Sequence, residues 1–558
     1  MSTAAARLNV LVGYGRTIQA GRTDMAPQAT PSKNGTRDGL LDFVDAAQRR
    51  HEVRTSSEER KGRGQFFTPP SIATFMSGLV RIPPRHFRVL DPGAGTGVLS
   101  AAICERIIRL RSARDVEFVL FETDANVLPA LDENMRRCRA RLRAAGHDMT
   151  YKIDETDFVL SNRPRSTQGT LFGDEQLCHA FDAAIMNPPY FKLNKNSAHA
   201  RAFERIIHGQ PNIYALFMAT ASMMVCPGGQ LVAITPRSFC NGLYFREFRR
   251  WLFERMTLRR VHLFESRTEA FKDADVLQES VITLWGKTPQ GRQSVDVSTS
   301  HGSEIDGTVR TAEFAADRII RGIGTDFVIR IPLNSADAKI MDALEAWSKT
   351  FADQGFRIST GPVVTFRATA YLLDDVKAPG AIPLLFPHNV RPFETRWPLT
   401  KNGKPLALRA CAGSEKLLLA SRNYVLLRRF SAKEEHRRLT ASSFLPDCGE
   451  WPPHIAIENH LNYIYFARRN LSETETLGLT ALFNSALLDR YFRTLSGNTQ
   501  VNATEIRAMP FPSLEEIRRI GAAVNGLKFT DRAEVERTVL GVLGINGSIV
   551  RDLVRSDM

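Results

Sequence analysis

The sequence predicts an α/β fold: a mainly parallel sheet covered by helices, followed by a second region of irregular α+β character. Three observations predict it. Between about residues 64 and 290, short apolar runs alternate with amphipathic helical stretches, the pattern of βα units. A glycine-rich turn, Asp91-Pro92-Gly93-Ala94-Gly95-Thr96-Gly97, separates one such run from a helical stretch that starts at Val98. From about residue 295 the runs shorten and are broken by Pro, Gly and charge, and helices return after Ser472.

The elements follow in order. Residues 1–38 are rich in Ala, Gly, Thr, Pro and Ser and read as a flexible tail. Gly39 to Arg60 reads as a helix with Leu40, Leu41, Phe43, Val44 and Ala47 on its apolar side. Predicted strands are Phe87–Leu90, Glu117–Phe121, Phe181–Ile185, Gln230–Ile234, Arg260–Phe264 and Ser280–Leu284. In the second region they are Val363–Phe366, Ile382–Phe386, Val425–Leu427 and Tyr463–Phe466. The predicted organisation is therefore a tail (1–38), a first domain (39–292) and a second domain (293–558).

A chain of 558 residues is long enough for more than one core. Lys and Arg number 74 against 60 Asp and Glu, a formal charge of +14, which favours a polyanionic partner. The seven cysteines are scattered, with no CxxC pair and no Cys/His cluster at zinc spacing, so reduced thiols and no metal site are expected. The opening residues lack the apolar core of a signal peptide, and no run of about 18 apolar residues is present. A cytoplasmic protein without a membrane segment is expected.

Two loops carry the chemistry. The Gly93–Gly97 turn lets a ligand approach bare backbone at the end of a strand. The next predicted strand ends in Glu122, an acid suited to accept hydrogen bonds from ribose hydroxyls, with Asp124 as the alternative. The turn lacks the Gly-Lys-Ser/Thr of a triphosphate site, so a nucleoside such as S-adenosylmethionine suits it better. The second loop, Asn187-Pro188-Pro189-Tyr190, follows the strand Phe181–Ile185. Two prolines fix its shape and end the strand. It offers an amide oxygen (Asn187), a carbonyl with no accompanying N–H (Pro188) and an aromatic face (Tyr190). Two acceptors on one amine free its lone pair for attack, and the ring suits a planar base.

With these motifs in this order, the chain resembles the γ class of N6-adenine DNA methyltransferases, the TaqI-like group, and within it the PstI/BsuBI type. Gly64 to Pro70, Asp91 to Gly97, Glu122, Asp157-Phe158 and Asn187–Tyr190 carry the resemblance. It implies a Rossmann-like S-adenosylmethionine-dependent methyltransferase domain with a C-terminal α+β target-recognition domain. It implies cofactor contacts from Thr68, Asp91, Ala94, Gly95, Glu122, Asp157, Phe158 and Asn187, with Asp154 a neighbouring acid. It further implies catalysis by Asn187, Pro188 and Tyr190, and a flipped adenine held between Tyr190 and Phe271. The expected partner is double-stranded DNA, the chain acting as a monomer and a separate restriction endonuclease as its genetic partner. RNA adenine methylation and glutamine N5-methylation of protein are the competing activities, and a methyltransferase fold that only binds nucleic acid is a third reading.

Past residue 295 lie basic clusters (Arg391, Arg396, Arg422, Arg428, Arg429, Lys433, Arg437, Arg438), of which some are expected to contact phosphates, and a few Arg, Asn or Gln side chains to reach base edges. The resemblance extends through Ser359–Val364 and Ser496–Asn502, whose Asn498, Gln500 and Asn502 form a polar loop placed to border DNA. Pro446-Asp447 is followed by Glu450-Trp451-Pro452, without the lysine of a Pro-Asp…Glu-x-Lys nuclease set.

Overall fold

The apolar runs of the first half assemble into one nine-stranded sheet. In this computed structural model, residues from Gly39 to Leu553 are described apart from interruptions, of which 164–179 and 265–278 are the longest. The strands are β1 (His86–Pro92), β2 (Asp115–Phe121), β3 (Asp148–Asp154), β4 (Phe181–Met186), β5 (Val225–Pro236), β6 (Thr257–Phe264), β7 (Ser280–Gly286), β8 (Ser294–Ser300) and β9 (Arg310–Ala315). Their order is β3-β2-β1-β4-β5-β7-β6-β8-β9. The first five are mutually parallel, and β7 runs antiparallel between β5 and β6. Strand order reverses between β1 and β4, and ligands of open parallel sheets bind outside the strand ends at such a switch.

Helices cover both faces. α1 (Leu40–Arg54), α2 (Pro70–Leu79), α3 (Val98–Ile108) and α4 (Leu128–Ala144) pack on one side, with Ile72, Met76, Leu99, Ile103, Leu131 and Met135 buried against Val89, Phe118 and Ile185. Further on come the short α5 (Phe158–Ser161), α6 (Ala198–Ala202), α7 (Ile213–Met224) and α8 (Arg246–Arg255). Every residue of α7 is buried, so it reads apolar all round rather than along one stripe.

Three differences from the predicted elements have physical reasons. β3 was not predicted, because it is an edge strand with one fully buried residue, Met149, and a polar sequence. The sheet takes in β8 and β9, which lie past residue 292; Val295 and Val297 bury against its core. Val363–Phe366 is not a strand: Val363 makes a single bridge to Glu458, and Thr365–Arg367 is a 3-10 turn.

Beyond Ala315 a short hairpin, β10 (Ile320–Ile323) and β11 (Asp326–Ile329), leads to helix α9 (Ser335–Glu345) and two five-stranded sheets. The first contains β12 (Phe356–Thr360), β18 (Tyr424–Arg428), β19 (Ala441–Phe444) and β21 (Leu461–Phe466), with β15 (Phe393–Glu394) at its edge. The second contains β13 (Leu372–Leu373), β14 (Ala381–Leu385), β16 (Ala407–Arg409), β17 (Leu418–Ala420) and β20 (His454–Ile457). After Ser472, which caps it through a reciprocal bond pair with Glu475, comes α10 (Glu473–Asn484), then α11 (Ala486–Leu495). The region is tied to the first sheet through Arg237, just past β5. Its guanidinium meets Glu279 at 3.1 Å and donates to the carbonyls of Arg493 and Thr494. Residues Leu40–Met558 thus form one compact unit.

Candidate active site

The loop after β1 and the loop after β4 stand on either side of the switch point. Gly93, Gly95 and Gly97 all have positive φ, which glycine adopts without a Cβ clash. The loop is pinned to the end of β2: Gly93 and Ala94 N–H donate to the Phe121 carbonyl at 2.8 and 2.9 Å. Glu122 continues the pinning with its side chain. One carboxylate oxygen accepts from Gly95 N at 2.8 Å, the other from Thr123 N and Asp124 N, both at 2.8 Å. Burial raises its pKa above the ordinary carboxylate range, while the three N–H donors pull the other way. Asp124 spends one oxygen on its own loop, accepting from Asn126.

Glu122 forms one wall of a cavity of about 540 Å³. Thr68, Ala94, Gly95, Asp157, Phe158 and Asn187 also line it, so seven of the eight predicted cofactor residues converge there. Asp91 does not line it. This residue lies fully buried behind the loop, where its Oδ2 accepts from Ser100 Oγ at 2.6 Å and its Oδ1 has no hydrogen-bond partner. Burial pushes its pKa up to about 7. Phe158 stands in an aromatic group, 5.0 Å from Phe121 and 5.2 Å from Phe217 between ring centroids. Asp157 caps α5 through Leu160 N at 2.8 Å, and its second oxygen lies 2.8 Å from His199 Nε2. His199 also lines the cavity and was not anticipated; a lone histidine eight residues past the catalytic loop's Phe191 carries no sequence signal.

The size suits a nucleoside-sized ligand. Among the described residues its lining holds aromatic rings, three carboxylates and no lysine or arginine. That donor set fits S-adenosylmethionine, with an acid for ribose, an aromatic wall for adenine and no cation demanding a phosphate.

The Asn187 amide is oriented by two acceptors on the segment before α2. Its Nδ2 donates to the Phe66 carbonyl at 2.7 Å and to Thr68 Oγ1 at 3.0 Å. With both protons used, Oδ1 is left as the acceptor. In this conformation it takes the Tyr190 hydroxyl at 2.6 Å, and the same hydroxyl lies 2.9 Å from the Ile234 carbonyl of β5. The Tyr190 ring is stacked on Phe66 (centroids 5.6 Å apart, planes at 26°) and meets Tyr214 edge-on. Burial pushes the Tyr190 phenol well above its ordinary range. Gly64 braces the loop: its carbonyl accepts Tyr190 N–H at 3.1 Å, and a Cβ there would lie 2.8 Å from Tyr190 N. Pro188 is buried between Asn187 and the cavity-lining Pro189. Phe271 lies outside the described residues, as do Lys433 and Asn498.

Besides His199, the contacts of the Asn187 loop with the Phe66 carbonyl and the Ile234 carbonyl were missed. Only the place of Phe66 in the Gly64–Pro70 motif, two residues before Thr68, hinted at the first, and a backbone carbonyl in a central strand gives no hint of itself. One arginine of the basic clusters is corrected: Arg438 is buried, donating to the Ser496 carbonyl at 2.6 Å. Arg428 is half-buried and donates to the Val390 carbonyl. Asn502 stands at the N-cap of the helix Ala503–Ala508.

The parallel sheet with its glycine loop, a cavity of nucleoside size and the Asn187–Tyr190 loop beside it marks an S-adenosylmethionine-dependent methyltransferase. A family model, Eco57I restriction-modification methylase, matches residues 126–271. The chain is 32% identical to the type II methyltransferase M.PstI of Providencia stuartii over 491 residues, 88% of this chain and 93% of that one. It is 32% identical to M.BsuBI of Bacillus subtilis over 86% of this chain and 93% of that one. The chain belongs to this family, the type II DNA methyltransferases of restriction-modification systems. Its fold is also similar to that of the type IIL restriction-modification enzyme MmeI in complex with DNA (TM-score 0.51, 11% identity, 92% of this chain and 76% of that one). Among the described residues, no helix is long and apolar enough to cross a membrane.

Proposed function

We propose that this methyltransferase acts on the exocyclic N6 amine of an adenine flipped out of duplex DNA. The observation that carries this reading is the Asn187 amide, whose two protons are both engaged so that Oδ1 can only accept. An aromatic amine is a poor nucleophile, because its lone pair is shared with the ring. Accepting its protons at Asn187 Oδ1 and at the Pro188 carbonyl draws that pair back to nitrogen, and such positioning and polarisation supply most of the catalysis. Tyr190 yields Oδ1 at little cost, since its hydroxyl keeps the Ile234 carbonyl as an alternative acceptor. Its ring then stacks on the adenine, with Phe271 as the second aromatic. When bound, S-adenosylmethionine would supply an electrophilic sulfonium methyl to the adenine nitrogen, whose displaced proton would pass to solvent. Glu122 and Asp157 would hold the nucleoside, and Phe158 would pack on its ring.

The division of labour we infer puts catalysis on residues 39–292, with β8 and β9 completing the sheet, and target recognition on the remainder through residue 558. The chain works in the cytoplasm as a monomer, paired genetically with a separate endonuclease. The test is mass spectrometry of nucleosides from unmethylated plasmid incubated with protein and S-adenosylmethionine, beside Asn187→Ala and a total-RNA substrate. N6-methyladenine in plasmid, lost in the variant, is the expected result. A mark on RNA alone would move the activity to RNA.

A further inference from the structure

Three segments that the reaction does not use, Ser359–Val364, Arg428-Arg429 and Ser496–Asn502, are brought together around one turn, Glu458–Leu461. Val363 N–H donates to the Ile457 carbonyl at 3.1 Å and Asn459 N–H returns to the Val363 carbonyl at 2.9 Å. Arg429 N–H donates to the His460 carbonyl at 3.0 Å, and its guanidinium reaches the Asn459 carbonyl at 3.0 Å. Phe430 bridges Gln500 in antiparallel fashion, flanked by Val501 N to Arg429 O at 2.7 Å and Ser431 N to Thr499 O at 3.0 Å.

What this tip presents is unusual for a surface. Phe430 is 39% exposed, and its ring lies 4.7 Å from the His460 imidazole. The Arg429 guanidinium sits 5.7 Å from the Phe430 centroid. The carboxylate of Glu458, 2% exposed, accepts from His460 N at 2.8 Å and is bonded to the ring's Nδ1. A buried carboxylate is costly to keep unless it holds something in place. Here it fixes a half-exposed imidazole whose remaining polar atom is Nε2. Exposed aromatic, guanidinium, imidazole and amide together match the chemistry of phosphates and base faces.

The tip also belongs to the catalytic edge of the sheet. Gly497 lies directly against the Glu279 carboxylate and the Arg237 side chain. Arg237 follows β5, the strand whose Ile234 carbonyl meets the Tyr190 hydroxyl. Gln500 is three positions past Gly497, a span of at most about 11 Å. A base turned out of the duplex leaves a gap between its former neighbours, and side-chain wedges are known to occupy such unstacked steps.

We propose that the tip of Arg429, Phe430, His460 and Gln500 enters the duplex at the target base pair, the Phe430 ring taking the stacking position that the flipped adenine leaves. This rests on the flipping mechanism above. The recognition site is first read from methylated plasmid by sequencing at nucleotide resolution. Phe430→Ala is then compared with wild type on two duplexes, one with the target adenine paired and one with it opposite an abasic site. A paired duplex with 2-aminopurine at the target reports flipping independently of methylation. The expected result is methylation slowed about tenfold or more on the paired duplex, nearly restored opposite the abasic site, with dimmer 2-aminopurine and unchanged S-adenosylmethionine affinity. Phe430→Leu, which keeps apolar bulk, falls between the two and serves if the alanine variant misfolds. Equal slowing on both duplexes, or none, overturns the proposal. A wild type that neither marks DNA nor brightens the probe overturns the flipping mechanism and this inference with it.

Discussion

The Tyr190 hydroxyl stands 2.6 Å from Asn187 Oδ1, the oxygen to which the proposed mechanism brings the amine, with the Ile234 carbonyl 2.9 Å away as its other acceptor. One phenolic proton serves two acceptors, so in that mechanism an arriving amine would displace it from one to the other without leaving it unpaired. Asn187, by contrast, has no spare rotamer, because Phe66 O and Thr68 Oγ1 already hold its two N–H groups.

Tyr190→Phe therefore keeps much of the activity, with a single-turnover rate within about fivefold of wild type, since one neutral hydrogen bond is worth roughly 1 kcal/mol. Tyr190→Ala loses the stacking face and raises the KM for DNA about tenfold, in line with roughly 1–3 kcal/mol per stacked base. Asn187→Ala loses about 100- to 1,000-fold in kcat, as removing an oriented transition-state contact does. A phenylalanine variant as slow as the alanine at 187 would show that the hydroxyl itself takes part in the reaction.

Gly64 has φ of +62°, and a Cβ there would press on Tyr190 N and C at 2.8 and 2.9 Å. Gly64→Ala is expected to displace the catalytic loop and cut kcat/KM at least about tenfold, as small misplacements of reacting groups do. Gly146 is the control: its φ is +82° with nothing within 4 Å. Gly146→Ala carries only the left-handed strain of about 1–2 kcal/mol, lowering the Tm while sparing activity. Equal kinetics for the two variants would refute the bracing role of Gly64.

Asp91 makes stability depend on pH. Its carboxyl titrates near 3.8 when unfolded and at about 7 when folded, because burial disfavours the charged form. Between those values the unfolded state binds fewer protons, so stability falls as pH rises, by at most about 1.4 kcal/mol per pH unit for this group, and the loss is complete above pH 7. Asp91→Asn removes that slope. Denaturation midpoints of wild type minus variant, measured from pH 4 to 8, should decline steadily and then level off. A flat difference would mean that the carboxyl is not strained by burial.

Legibility in the sequence followed physical locality. The glycine loop, Glu122 and Asn187–Tyr190 were readable because strand, turn and helix signals lie within a few residues of the reactive group. Asp91 was misplaced, since the residue opening such a loop can face either the ligand or the core, and only Ser100 and the packing of α3 decide. β3 was hidden by its edge position, and the 3-10 turn at Thr365–Arg367 by the β-branched residues before it. Arg438 was grouped with candidate phosphate ligands because a charge run carries no mark of burial.

By itself the sequence determined the α/β class, the glycine-rich turn after β1 and the stiff Asn187–Tyr190 loop after β4, because each rests on short-range backbone preferences. Only the tertiary structure decided that Phe66 and Thr68 orient Asn187, that Tyr190 shares its proton with Ile234, and that three distant segments meet around Glu458 and His460. Those contacts join residues at least 30 positions apart. Their geometry follows from how the sheets and helices pack, which no local pattern encodes.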